Sequence, residues 1–378
     1  MALSKLKAKI KGIKYLPFEQ DGTTYNLYDM PKGFVIKGNL DLRNKGLTEL
    51  PDLSEVVVKG SFICHCNKLT SLKGAPKEVG KGFDCRYNQL TSLEGAPQTV
   101  GGDFTCDYNY LTSLKGGPQK VSGSFSCHNN QLASLEGAPK EVGGSFKCNN
   151  NQLTSLEGAP QKVGASFWCK HNQLTSLKGG PKEVGRDFNC RNNQLTSLEG
   201  APQEVDGYFS CRYNQLTSLE GAPQTVGGDF YCSYNQLTSL DGAPQKVGES
   251  FYCESNQLTS LKGGPQKVSG NFHCDNNELT SLVDIPQLAE GCKIYCKDSL
   301  GNKYGFSEAG NCGIKYKDLC ATSLYKSEIA MNRVRVKKQH GSVQQPQKRV
   351  ETKTQQQEKI NAEFSQWLKD NANKPTRE

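Results

Sequence analysis

A unit of 21 residues recurs eleven times between Phe62 and Leu282, and a period this short and this regular leaves few folds open. The unit reads F-x-C-x-x-N-x-L-x-x-L. Most copies continue with Gly-Ala-Pro or Gly-Gly-Pro, then x-x-V and a short return of small residues. The register is marked by Cys64, Cys85, Cys106, Cys127, Cys148, Cys169, Cys190, Cys211, Cys232, Cys253 and Cys274. The asparagines from Asn67 and Asn88 to Asn256 and Asn277 keep the same step without exception. Such repeats stack along one axis around a continuous core, so the usual estimate of two or three globular domains for 378 residues does not apply.

The pattern inside one unit predicts a coil. Phe83 and Cys85 alternate with Asp84 and Arg86, as in a half-buried strand. Asn88 follows where the chain has to turn, and its amide can serve backbone groups that the turn leaves unpaired. Leu90 and Leu93 point inward again. Gly95-Ala96-Pro97 gives an extended or turning path on the far side, Val100 closes the coil, and Gly101-Gly102 returns it. One coil buries too little to stand alone, so stability must come from stacking.

Sixteen cysteines in a secreted chain would suggest disulfides. Eleven equivalent thiols, one per coil, are a poor disulfide framework and read as a column of small buried side chains. The expectation is a reducing, cytoplasmic compartment. Residues 1 to 16 lack the continuous apolar core of a secretory signal, and no stretch is long and apolar enough for a membrane-spanning helix.

The flanks predict five segments: an N-terminal cap at 1–37, the solenoid at 38–288, a C-terminal cap at 289–322, a basic and Gln-rich helix and linker at 323–357, and a short amphipathic helix and tail at 358–378. In the first, Leu6, Ile10 and Ile13 have helical spacing among lysines, and the run from Gly22 to Tyr28 predicts a turn and a short strand. Leu40, Leu42, Leu47, Leu50 and Pro51 make a degenerate first coil. In the last, Ile360, Phe364, Trp367 and Leu368 form an apolar stripe that either docks on the solenoid end or binds a partner groove.

The motif F-x-C-x-x-N-x-L-x-x-L resembles the leucine-rich repeat family, with Phe and Cys at two leucine sites. The resemblance covers residues 38 to 282. The short unit with a proline in its second half is similar to the bacterial type of repeat found in the YopM and IpaH effectors. It departs from that type in having 21 rather than 20 residues, and Gly-Ala-Pro where those repeats carry Leu-Pro. The resemblance implies a leucine-rich-repeat solenoid of the α/β horseshoe class, rich in β-structure. A parallel β-sheet would line the concave face, loops, polyproline or 3-10 turns the convex face, and short helices the ends. It also implies partner binding on the concave sheet and leaves open delivery of the protein into a host cytosol as an effector.

Because the framework barely varies, the variation is informative. It concentrates in three columns: the residue between Phe and Cys, the residue after Cys, and the next one. Tyr, Trp and Arg dominate protein interfaces. The protein-binding candidates are therefore Tyr87, Tyr108, Lys147, Trp168, Lys170, His171, Arg191, Tyr208, Arg212, Tyr213, Tyr231, Tyr234 and Tyr252. Arg186 adds to a basic middle.

Catalytic and cofactor chemistry finds little footing. His65 and His128 lie three coils apart, roughly 14 Å, too far to share a metal. Cys292, Cys296, Cys312 and Cys320 are a weak zinc candidate, because their spacings do not match C-x2-C pairs. Cys296-Lys297-Asp298 has the Cys-x-Asp form used by IpaH-type ligases, but too few residues follow to build their catalytic domain. The expectation is a non-enzymatic binding protein without a cofactor. The alternative partner is nucleic acid. Of the chain's net charge of +8, residues 323–353 hold +6, including Arg333, Arg335, Lys337, Lys338, Lys348 and Arg349.

Overall fold

A computed structural model describes residues 14–306 and 313–341, and of 334–341 the helical backbone alone. The helical spacing of Leu6, Ile10 and Ile13 and the apolar stripe from Ile360 lie outside the described residues.

The chain divides into two units, at 1–326 and 327–378. In the first, the strand predicted in each repeat forms at its Phe: Phe62–Ile63, Phe83–Asp84 and so on to Phe272–His273. These strands pair in parallel with strict register, Phe on Phe, in a sheet of 14 strands among the described residues. The ladder continues past the strands proper. Cys169 N–H donates to Asn189 O (2.9 Å), and His171 N–H to Arg191 O (3.1 Å).

The loops expected opposite are themselves tied together. The x-Val pairs, such as Glu141–Val142 and Lys162–Val163, form a second parallel ladder of eight and five strands. The interruption falls between Glu183–Val184 and Glu204–Val205. There Asp206 takes a position that other coils fill mostly with glycine. A Cβ at Gly164 in that column would lie 2.1 Å from Gly143 O, so that return is packed for a residue without one, although Ser122 and Ser269 occupy the column elsewhere without breaking the ladder. A tight turn precedes the second ladder. Ala96 N–H donates to Leu93 O (3.0 Å) across Gly95, whose φ of +91° is the left-handed value a type II turn needs.

The core is a set of columns. The eleven phenylalanines are buried and stacked, with neighbouring ring centres 5.1–5.7 Å apart. The two leucines, the valine and the cysteine of each coil line up beside them. The cysteines do more than fill space. Cys106 Sγ donates to Ser126 O (3.2 Å), Cys190 Sγ to Ser210 O (3.3 Å) and Cys253 Sγ to His273 O (3.2 Å), so the thiol ties each coil to the next. The eleven ladder cysteines are free thiols. Burial pushes the ladder thiols far above their usual pKa. The eleven ladder thiols are therefore expected to resist a disulfide reagent in the native protein and react once it is unfolded. Modification of Cys169 or Cys190 in the native state at the rate of half-buried Cys66 would contradict this packing.

Each asparagine of the ladder is shared between coils. Asn172 Nδ2 donates to Cys148 O in the coil before (3.1 Å) and to Cys169 O in its own (3.0 Å). Its Oδ1 accepts from Leu153 N–H (3.0 Å). The same three bonds recur at Asn88, Asn214 and Asn277.

Further elements flank the stack on either side. The hairpin of Pro17–Gln20 and Thr23–Asn26 turns at Asp21-Gly22, both with positive φ, and precedes the first coil. At the other end Lys293–Tyr295 adds in parallel to Phe272–His273. Ile314–Lys315 then pairs antiparallel with it and covers the last edge. Helices α1 (Asp298–Lys303), α2 (Tyr316–Ala321) and α3 (Ser323–Gly341) follow. Among the described residues no helix is long and apolar enough to cross a membrane.

Candidate binding face

The first two variable columns project from the outer face of the long sheet. The third does not continue the strand. Cys66, Tyr87, Tyr108, Asn129, Asn150, His171, Asn192, Tyr213, Tyr234, Ser255 and Asn276 all have φ between +50° and +58°, a left-handed bend just before the ladder asparagine. The strand alternation read from the sequence is corrected here: the chain breaks out of the strand so that the next amide can turn inward. Asn suits this conformation; Tyr does not gain from it. The four tyrosines are nonetheless 42–48% exposed there, and they meet in pairs, Tyr87 on Tyr108 at 4.5 Å and Tyr213 on Tyr234 at 4.4 Å.

The first column builds a second stack. Tyr231, Tyr252, His273 and Tyr295 lie face to face at 4.3–4.5 Å, because parallel in-register strands place equivalent side chains one coil apart. Tyr208 meets Tyr231 edge-on at 6.2 Å, and Asn189 Nδ2 donates to its hydroxyl (3.2 Å). The Arg212 guanidinium is held between the two stacks, 5.5–5.8 Å from the rings of Tyr213, Tyr231 and Tyr234, and pairs with Glu254 at 3.3 Å. Trp168 is half-buried rather than fully exposed. Lys147 Nζ is 4.9 Å and Lys170 Nζ 5.8 Å from its ring. Arg191 lies in the next coil, whereas Arg186 sits in the return between the two sheets.

Charge is segregated along the face. Asp84 takes Arg86 in a two-point pair (3.0 and 2.8 Å). Buried Asp107 accepts from Ser126 Oγ (2.6 Å) and His128 N–H (3.0 Å), with the His128 ring at 3.4 Å. The middle coils carry Lys147, Lys170, Arg191 and Arg212 with Asp187 as their acid, and then Asp229, Glu254 and Asp275 follow. Among the described residues five buried side-chain nitrogen and oxygen atoms make no hydrogen bond. They are Asn149 Oδ1, Trp168 Nε1, Arg191 Nε, Arg212 Nε and Glu254 Oε2, and all five lie on this face.

Burial lowers the pKa of His128, His171 and His273 below the ordinary value, aided at His171 by Arg191 and Lys170 and opposed at His128 by Asp107. The unfolded chain thus binds these protons more readily than the folded one. Their contribution to stability is complete above about pH 6.5 and is lost as pH falls through the lower folded values. The urea midpoint should drop between about pH 7.5 and 5.5, and His273→Gln should flatten the dependence. An unchanged slope in that variant would contradict the burial of the ring.

No three-residue group of His, Cys, Asp or Glu suited to a metal exists among the described residues. Of the zinc candidates, Cys292 and Cys320 are half-buried, Cys296 is fully buried and Cys312 lies outside the described residues. The buried Cys296 thiol also gives the Cys-x-Asp motif no exposed nucleophile. Grooves of about 490 and 540 Å³ lie along the second sheet, away from the aromatic face. On the basic segment, Arg333 is exposed on α3, and Arg335, Lys337 and Lys338 belong to the same helix. Lys348 and Arg349 lie outside the described residues.

The 21-residue period, the in-register parallel ladders and the shared asparagines define a leucine-rich-repeat solenoid. No family model and no curated protein matches the sequence. Among solved structures the chain is similar to the leucine-rich repeat domain of APL1B (TM-score 0.50, 16% identity, over 68% of this chain and 80% of that one). It is also similar to YopM from Yersinia enterocolitica WA-314 (0.43, 21%, over 69% and 65%) and to YopM from Yersinia pestis, a leucine-rich effector (0.41, 20%, over 72% and 86%). The match thus spans less than two thirds of the Yersinia enterocolitica protein's own length. At these identities the likeness is one of fold.

Proposed function

We propose that this chain is a non-enzymatic recognition solenoid that holds a partner protein on the outer face of its long sheet, the face expected to be concave. The observation that carries the reading is the set of large side chains held in place on that face, Trp168 beside Lys147 and Lys170 and Arg212 between two tyrosine stacks. The side-chain types agree: Trp168, Arg212 and the tyrosine stacks are large, held rigid by their neighbours, and amphipathic. Four tyrosines kept at a left-handed position that favours asparagine argue in the same direction.

The test is capture from a lysate by the full-length protein at low and high salt, with and without nuclease. A second bait carries Arg333→Gln, Arg335→Gln, Lys337→Gln and Lys338→Gln. Protein capture that survives nuclease and the tail substitutions supports the reading. Capture that vanishes with nuclease, salt and the tail variant would move the function to nucleic acid and the basic segment.

A further inference from the structure

The outer face is divided by sign, and the cations of its middle are poorly balanced: Asp187, in the coil of Arg191, is taken by Ser166 Oγ (3.0 Å) and Tyr208 N–H (3.2 Å). Lys147, Lys170, Arg191 and Arg212 occupy four consecutive coils, a span of roughly 14 Å at the spacing of paired strands. Arg212 pairs with Glu254, but no ion pair is formed by Lys147, Lys170 or Arg191 among the described residues. The pKa of Lys170 is pulled down by burial and by Arg191, as expected where like charges crowd without an anion. Three of the five unpartnered atoms lie in this block, Trp168 Nε1, Arg191 Nε and Arg212 Nε, and all three are N–H donors. These three atoms are enclosed, so what a ligand meets is the positive charge of Lys147, Lys170 and the guanidinium ends, which calls for an anion.

We propose that this block is the docking site for a short acidic segment of the partner protein, one presenting two or three carboxylates across the four coils. The inference deepens the function proposed above and rests on it. An extended segment places same-side residues about 6–7 Å apart, so two or three carboxylates fit the span. Each can accept from the terminal nitrogens of a guanidinium or from a lysine ammonium. Nucleic acid fits less well for two reasons. A strand longer than a few nucleotides would carry its phosphates onto Asp84 and Asp107 at one side, or onto Asp229, Glu254 and Asp275 at the other. The tyrosines are also closed on each other at 4.4–4.5 Å, which leaves no gap for a base between them. The flanking carboxylates instead suit a partner whose acidic segment is bordered by basic residues.

The test measures binding of labelled probes to the full-length protein by fluorescence anisotropy. The probes are an extended glutamate-rich peptide, its glutamine counterpart and a single-stranded oligothymidylate of the same net charge. The glutamate peptide should bind and the glutamine peptide should not. Lys170→Gln with Arg191→Gln should weaken binding about 10- to 100-fold. Lys246→Gln with Lys267→Gln, which removes the same charge from exposed positions on the second sheet, should leave it unchanged. Equal loss in the second-sheet pair, equal binding of the glutamine peptide, or tighter binding of oligothymidylate would each overturn the proposal. If the protein captured from lysate is lost with Trp168→Ala and Tyr231→Ala but retained by Lys170→Gln with Arg191→Gln, the acidic-segment claim fails while the recognition face stands.

Discussion

Asn172→Ala is expected to lower the unfolding free energy by about 3–5 kcal/mol, one of the largest losses any single substitution in this chain should cause. The reason is the number of groups one amide serves. Its removal strands the buried Leu153 N–H and takes one of two amide donors from Cys148 O and from Cys169 O, which keep Asn151 Nδ2 and Asn193 Nδ2. The orphaned N–H costs about 1–3 kcal/mol and each of the two lost carbonyl bonds about 0.5–1.5 kcal/mol, which together give this range. Asn150→Ala is the matched control. Asn150 is exposed and occupies the left-handed bend, so its loss should cost about 1 kcal/mol, from the exposed bond to Asn129 Oδ1 (2.8 Å) and the local hydrogen bonding that lets Asn tolerate this conformation. A urea unfolding series on the two variants separates them. Equal midpoints would mean that the amide does not join the coils.

The second large effect concerns binding. Trp168→Ala with Tyr231→Ala should leave the unfolding midpoint within about 1 kcal/mol of the parent, since neither side chain enters the phenylalanine core. Affinity for the captured protein should fall about 1000-fold if each residue supplies a typical hot-spot contribution of about 2 kcal/mol. Trp168 is held by Lys147 and Lys170, and Tyr231 stacks on Tyr252 and donates its hydroxyl to Asp229 (2.7 Å). Both therefore meet a partner already ordered, which spares the entropy that loose side chains lose on binding. Folded protein with undiminished capture would place recognition elsewhere.

How far the sequence can be read is clear from particular residues. The spacing of Cys64 to Cys274 and of Asn67 to Asn277 is enough to predict the coil, its parallel strands and the inward-facing columns. The second ladder is harder to see. Its strands are two residues long, such as Glu141–Val142, and sit among Gly and Pro that read as loop, because the pairing is enforced by stacking rather than by strand propensity. Cysteine at the strand end looks like a small apolar residue, and only the geometry reveals an S–H directed at the next coil's carbonyl. At the face, the sequence picks out the variable columns but not their neighbours. That Tyr213 and Tyr234 sit in left-handed bends, that Arg212 lies between two aromatic stacks, and that His273 joins Tyr252 to Tyr295 all follow from register, which composition does not encode.

Hydroxyl-radical footprinting of the full-length protein with and without its captured partner bears most directly on the claim that the long sheet's outer face is the recognition surface. The account predicts that oxidation of Trp168, Tyr213, Tyr234 and Tyr252 falls on complex formation, while residues along the second sheet, such as Lys246 and Lys267, keep their reactivity. Protection confined to the second sheet or to α3, with those four aromatic rings still reactive, would contradict it.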